Sequence, residues 1–194
     1  MGDVSGGRGA GKGMDRVFQA ARELFYRNGV RATGVDQIVQ EAGVTKPTLY
    51  RAFDSKDELV AACLRDYAAQ KWAWWDETTA PYADDPRGAL LALLRGCVDK
   101  SFADHERGCP LTNIAIEMPG DTARVVILEK KAEARRRLIA HAEPLAGARA
   151  AELADALTLL IEGAMASRQV FGPDGPSRRV VEAGAALIDA YTAR

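Results

Sequence analysis

The stretch that decides the fold is Val35-Asp36-Gln37-Ile38-Val39-Gln40-Glu41-Ala42-Gly43-Val44-Thr45-Lys46-Pro47-Thr48-Leu49-Tyr50-Arg51-Ala52-Phe53. Its apolar residues Val35, Ile38, Val39 and Ala42 recur at helical spacing, so the first half is a short helix with one buried face. Gly43 follows, and glycine accepts the positive φ that ends a helix sharply. Val44 is apolar and can plug the angle that the turn creates. Thr45 can cap a second helix. Pro47 falls in that helix's first turn, where its missing N–H is not needed. Leu49 and Phe53, four apart, point inward. Lys46, Thr48, Tyr50 and Arg51 are left near the outer surface.

Two helices joined by a glycine turn, with an outward set of donors, are what a helix-turn-helix requires. The second helix can enter a DNA major groove with its N-terminal residues near base edges. Lys46 can donate to guanine or to a phosphate, and Thr48 can bond a base or touch a thymine methyl. Tyr50 can donate its hydroxyl to a phosphate, and Thr33, Thr45, Pro47, Arg51 and Lys56 complete the candidate DNA-contacting set. Thr33-Gly34-Val35-Asp36 reads as a Thr-x-x-Asp start with Thr33 as N-cap. Ser55-Lys56-Asp57-Glu58 is a full capping box. Both helix starts, at Thr33 and at Lys56, are expected to bind phosphates, because helix N-termini attract anions.

Working outward, the pattern stays helical. Phe18, Ala21, Leu24 and Phe25 place a helix over about 14–28, and Asn28-Gly29 stops it. The helix opened by Ser55 runs to about Trp75. A break with Pro81 and Pro86 follows. Further helices are expected from Asp85-Pro86, over about 111–117, from Asp121 to about His141, and over about 149–171 and 177–192. No stretch alternates in the way a strand needs, so the fold class is all-α. The domains read as a flexible Gly-rich tail over 1–13, a helix-turn-helix domain with its linking fourth helix over 14–75, and a helical domain over 76–194. Gly6-Gly7-Arg8-Gly9-Ala10-Gly11-Lys12 imitates a P-loop, but Gly13 stands where the hydroxyl is needed and no strand precedes it.

The chain has 194 residues, 47% hydrophobic and 27% charged, with a formal net charge of −1. Residues 1–60 carry nine Lys/Arg against eight Asp/Glu, so bulk charge does not single out a nucleic-acid binder. The argument for DNA rests on where the charges sit. No apolar run is long enough to cross a bilayer, and the N-terminus lacks the apolar core of a secretory signal. A cytoplasmic protein without a membrane partner is expected. His105 and His141 are far apart, with no hydrolase or zinc signature around them. No enzyme, metal or cofactor is therefore expected.

Residues 14–60 resemble the N-terminal domain of the tetracycline-repressor (TetR/AcrR) family of bacterial transcription regulators. The likeness is carried by Ala20-Ala21-Arg22-Glu23-Leu24-Phe25, Asn28-Gly29-Val30-Arg31-Ala32-Thr33, the quoted core and Ser55-Lys56-Asp57-Glu58-Leu59. Ala52 departs from the pattern, where a larger polar or aromatic residue is common. The resemblance implies an all-helical, two-domain homodimer that represses transcription and leaves a double-stranded operator when a small molecule binds its C-terminal domain. Residues 108–119 resemble a segment of one subgroup, which names no ligand.

Two readings of the C-terminal half follow from the residues alone. Leu153, Leu157, Leu160, Ile161 and Ala164 share one side of a helix, and Val181, Gly184, Leu187, Ile188 and Tyr191 share one side of the next. They predict a dimer seam, although the same faces also serve the monomer's own core. Trp72, Trp75, Phe102, Cys109, Asn113, Glu117, Met118 and Met165, with His141, are candidates to line an effector cavity. Ordinary packing is the competing reading for each. Cys97 and Cys109 also raise a thiol sensor, against which free cysteine is usually a small buried hydrophobe.

Overall fold

The computed structural model describes residues 6–103, 107–117 and 122–192, without the side chains of 6–12, 98 and 100–103. The described residues are helical, with no strand among them. In order they form α1 (Gly6–Asn28), α2 (Val35–Glu41), α3 (Lys46–Tyr50), α4 (Lys56–Thr79), α5 (Pro86–Ala103), α6 (Pro110–Glu117), α7 (Thr122–Ala146), α8 (Ala150–Phe171) and α9 (Val180–Thr192). Short 3-10 turns at Ala80–Tyr82, Gly147–Arg149 and Pro176–Arg179 join some of them.

They make two compact units. One holds Met1–Ala68 with Pro110–Leu128, the other Ala69–Cys109 with Glu129–Arg194. The division falls at Ala68, inside α4; the sequence places it near residue 76, inside or just after the same helix. Pro81 and Pro86 mark where a helix ends, but compactness follows the buried faces. Leu111, Ile114, Val126 and Ile127 are buried and belong with the first unit.

In the first unit α1 packs on α2 and α3. Val17, Ala21, Phe25, Ile38, Leu49, Leu59 and Leu64 form its centre. Each large apolar side chain so buried contributes about 1.5–3 kcal/mol. Helix α1 begins at Gly6, inside the segment read as a tail. Glycine disfavours helix by about 1 kcal/mol per residue, which is why composition argued otherwise. Extending an existing helix adds one hydrogen bond per residue fixed, and Gly13 is buried beside Thr48 and Val44. The segment that imitates a P-loop is therefore part of a helix.

In the second unit α5, α8 and α9 pack on one another. Trp75, Leu90, Leu93, Leu94, Leu138, Leu153, Leu157 and Ile188 fill the core. Cys63, Cys97 and Cys109 form no disulfide with one another, and all three are buried. Asp121, expected to cap α7, lies outside the described residues.

Candidate nucleic-acid interface

The α2–α3 hairpin is built as its residues dictate. Ile38 and Val39 are buried on α2 and Leu49 on α3. Gly43 makes the turn with φ +60°, a conformation a β-carbon would strain. Val44 donates its N–H to Val39 O at 3.0 Å, closing the corner. Thr45 is the N-cap of α3, as expected, but its side chain makes no capping bond. Its hydroxyl lies 3.1 Å from that of Thr48 instead.

The outer surface of α3 is already organised. Lys46 Nζ sits 2.7 Å from Asp36 Oδ1 on α2. That hydrogen bond and the Asp36 charge hold the ammonium's pKa above the ordinary lysine value. Arg51 donates from Nη2 to Thr48 Oγ1 at 3.1 Å and from Nε to the Pro47 carbonyl at 3.3 Å. Pro47 is exposed, and Tyr50 is 47% exposed, high for an aromatic side chain. The face presents two cations, a phenol and two hydroxyls, all side chains that bond phosphates or base edges. Arg16 on α1 lies beside Gly43 and is exposed. The sequence reading missed both Arg16 and Asp36, since nothing in local spacing ties either to α3.

Two sequence expectations need correction. Thr33 does not cap α2; Gly34 does. Thr33 is fully buried, and its hydroxyl donates to Gly29 O at 2.7 Å. Neither its side chain nor its N–H reaches the surface. Lys56 is turned inward as well, donating to the Val30 carbonyl at 2.5 Å. Burial lowers its pKa against the opposing charge of Glu117. Ser55 Oγ accepts from the Glu58 N–H at 3.1 Å, while Glu58 accepts from Asp54 N–H at 2.8 Å. The capping box therefore closes one residue further back than its usual form.

Glu117 is not a cavity-lining acid. Its carboxylate accepts the Arg31 N–H at 3.1 Å and fills the space over Gly29, where φ is +85°. It braces the α1–α2 turn from α6, and Asn113 is half-buried on the same helix. Trp72, Trp75, Cys109, His141 and Met165 fall in the second unit. Trp72 and Trp75 meet edge to face, centroids 6.2 Å apart. Trp75 is buried and its Nε1–H donates to His141 Nε2 at 3.2 Å. Arg137 lies over the Trp72 ring at 4.7 Å. Gly108, next to Cys109, approaches the Met165 carbonyl, and Lys131 Nζ lies 3.7 Å from Cys109 Sγ. The Phe102 side chain and Met118 lie outside the described set. Burial pushes the Cys97 thiol up to about 11, which works against thiolate chemistry there.

The seam residues also divide. Leu153, Leu157 and Ile188 are fully buried, and Ala164 and Gly184 nearly so, within one chain. A side chain at Gly184 would run into Leu94. These residues complete the monomer's core and are not available to a second copy. Leu160, Ile161, Val181, Leu187 and Tyr191 pack at its edge. On α8 the exposed large apolar side chains are Leu159, Val170 and Phe171. Gly163 and Ala166 continue the Leu159–Val170 stripe on α8, and Ala183, Ala186 and Ala190 form an exposed stripe on α9.

Comparisons with known proteins fit this geometry. The family model described as "Bacterial regulatory proteins, tetR family" matches residues 17–63. A transcriptional repressor of Rhodococcus jostii, KstR2, is 32% identical over 103 residues, 53% of this chain and 48% of its own. The activator FasR of Mycolicibacterium smegmatis is 46% identical over 50 residues, 26% of this chain and 23% of its own. The chain thus spans about half or less of the length of these curated relatives. A solved transcriptional regulator of Streptomyces avermitilis superposes with a TM-score of 0.79 at 29% identity, covering 94% of this chain and 99% of that one. A TetR-family regulator of Streptomyces coelicolor superposes with a TM-score of 0.81 at 24% identity, covering 94% and 95%. Among the described residues no helix is long and apolar enough to cross a membrane.

Proposed function

The chain belongs to the TetR family of bacterial regulatory proteins, and on that premise we propose that it is a homodimeric repressor released from a palindromic operator by a small molecule. The observation that carries this reading is the α2–Gly43–α3 hairpin, lying inside the family match, with Lys46, Thr48, Tyr50 and Arg51 on its outer face. Lys46 and Thr48 near the start of α3 would read bases. Tyr50, Arg51 and Arg16 would hold phosphates.

A dimer would place two α3 helices about 34–36 Å apart, one DNA turn, matching a twofold operator. Its seam would use Leu159, Gly163, Ala166 and Val170 of α8 with Ala183, Ala186 and Ala190 of α9. Small residues at that spacing let helix pairs from two copies approach closely. Repression is favoured over activation because the match to the repressor KstR2 is the longer one. The effector would bind in the second unit, where Trp72 and Met165 offer half-buried apolar surface. It must favour the DNA-free state by about 1–3 kcal/mol.

The test is fluorescence anisotropy on DNA from upstream of the protein's own gene, at two salt concentrations, beside a scrambled duplex and a Lys46→Ala/Tyr50→Ala variant. Tight, salt-sensitive binding that fails in both controls supports the reading. No binding to any DNA at low salt overturns it. Ala166→Arg, on the exposed stripe, should yield a monomer by sedimentation and weaken operator binding.

A further inference from the structure

The ion pair between Lys46 and Asp36 joins the two helices of the hairpin at 2.7 Å. Its side chains are 52% and 80% exposed, so folding does not account for it: exposed pairs add little to stability. It lies on the surface that the proposed function assigns to DNA. A carboxylate there opposes every phosphate nearby, which makes it costly for a DNA binder unless it does something else.

We propose that Asp36 is a specificity-determining residue, positioning Lys46 for base edges and cancelling its attraction to phosphates. The inference rests on the DNA-binding reading. A lysine ammonium is a point charge on a flexible stem. Left unpaired beside a duplex it goes to the nearest phosphate, which adds affinity without sequence information. Asp36 takes one of the three N–H donors and leaves two, the number needed for O6 and N7 of a guanine. The pair is close to neutral as a unit, so it offers donors without a net phosphate-seeking charge. The carboxylate is itself held in place by the first turn of α2, where a negative charge is favoured. Its neighbours on α3 are restrained in the same way, with Arg51 bonded to Thr48 at 3.1 Å. Donating to the Asp36 carboxylate also raises the Lys46 pKa above the ordinary lysine value.

The test is selection from duplexes with a randomised centre, by the full chain, Asp36→Asn, Asp36→Glu, Lys46→Met and the Lys46→Met/Asp36→Asn double variant. Anisotropy then compares the best selected duplex with one of mixed sequence. In Asp36→Asn the selected-to-mixed affinity ratio should fall roughly 5- to 150-fold, the discrimination carried by one good base contact. The salt slope should steepen by about 0.9 for each lysine released to a phosphate. The lost preference should be confined to one base-pair position of each half-site. Asp36→Glu, which keeps the charge, should recover part of the ratio. In the Lys46→Met background, Asp36→Asn should change the ratio no further. Unchanged thermal unfolding shows that the variants are folded. An unchanged ratio in Asp36→Asn overturns the inference and leaves the DNA-binding reading standing, as does an equal drop in the Lys46→Met background. A full chain that enriches no sequence even at low salt overturns that reading and this inference together.

Discussion

Lys46 and Lys131 each lie against a carboxylate, and the two regions use the pair in opposite ways. Lys46 and Asp36 join α2 to α3 with side chains 52% and 80% exposed. Lys131 and Glu162 join α7 to α8 with side chains 28% and 32% exposed. Water reaches the first pair, so it adds little to the fold. The second is largely cut off from water, and Lys131 also reaches Cys109 Sγ at 3.7 Å. Burial alone would lower the Lys131 pKa, but Cys109 and Glu162 more than offset this and hold it above the ordinary lysine value. A charge at the surface is available to a partner, whereas a charge in the interior is a fixture of the fold.

That contrast holds only if both regions stand on real cores. Leu49 under α3 and Leu157 under α8 are both 0% exposed. Leu49→Ala and Leu157→Ala should each cost about 2–5 kcal/mol, read from denaturant midpoints. A Leu49→Ala cost well under 1 kcal/mol would mean that α3 is not anchored as described. The inner pair comes next. Lys131→Met removes one cation from beside Glu162, and Glu162→Gln removes one anion from beside Lys131. Full burial would put the loss at 3–5 kcal/mol, and exposure of about a third reduces it to roughly 1–2 kcal/mol. Replacing both residues with methionine should cost less than either single change, because no charge is then left uncompensated. Equal stability of all three variants would erase the distinction between the two lysines.

The two regions were also unequally legible in sequence. The hairpin is local. Gly43 is needed for a positive φ, Leu49 for an inward face, and Lys46 and Tyr50 are exposed because short helices leave one side to water. Neighbouring residues carry all of that. Thr33 misled for a physical reason: its spacing to Asp36 imitates a cap, yet the chain folds it under α1, where the Gly29 carbonyl satisfies the hydroxyl. Glu117 bracing Arg31 spans 86 residues, and no local pattern announces it. Helix α8 is apolar on more than one face, so periodicity found the helix but chose Leu153 and Leu157 for the seam. Tertiary packing buried those two and left Leu159 and Val170 outside.

A smaller effect comes from His141. Trp75 Nε1–H donates to its Nε2, so that nitrogen is unprotonated, and protonation would set two donors face to face. Burial lowers its pKa, Arg137 adds to the shift and Asp76 opposes it. The unfolded chain takes a proton near pH ~6.5 that the folded one refuses. Stability should therefore fall as pH drops through that value and level off below the folded pKa. His141→Gln keeps an acceptor for Trp75 and should flatten the decline, measured as unfolding midpoints across pH 5–8. An unflattened profile would assign the dependence to other groups.

Least of all in stability should be Lys46→Ala. The pair it breaks is exposed, so its loss should leave the unfolding midpoint almost unmoved. The same variant should lose most of its preference for a selected duplex, because the residue faces a partner and not the core. The comparison rests on that separation: Lys131→Met should move the unfolding midpoint while leaving DNA affinity per folded molecule unchanged, and Lys46→Ala should do the reverse. A Lys46→Ala protein that unfolds as readily as Lys131→Met would show that Asp36 and Lys46 are a structural tie between α2 and α3, and the surface charge would lose its claim to be held in reserve for DNA.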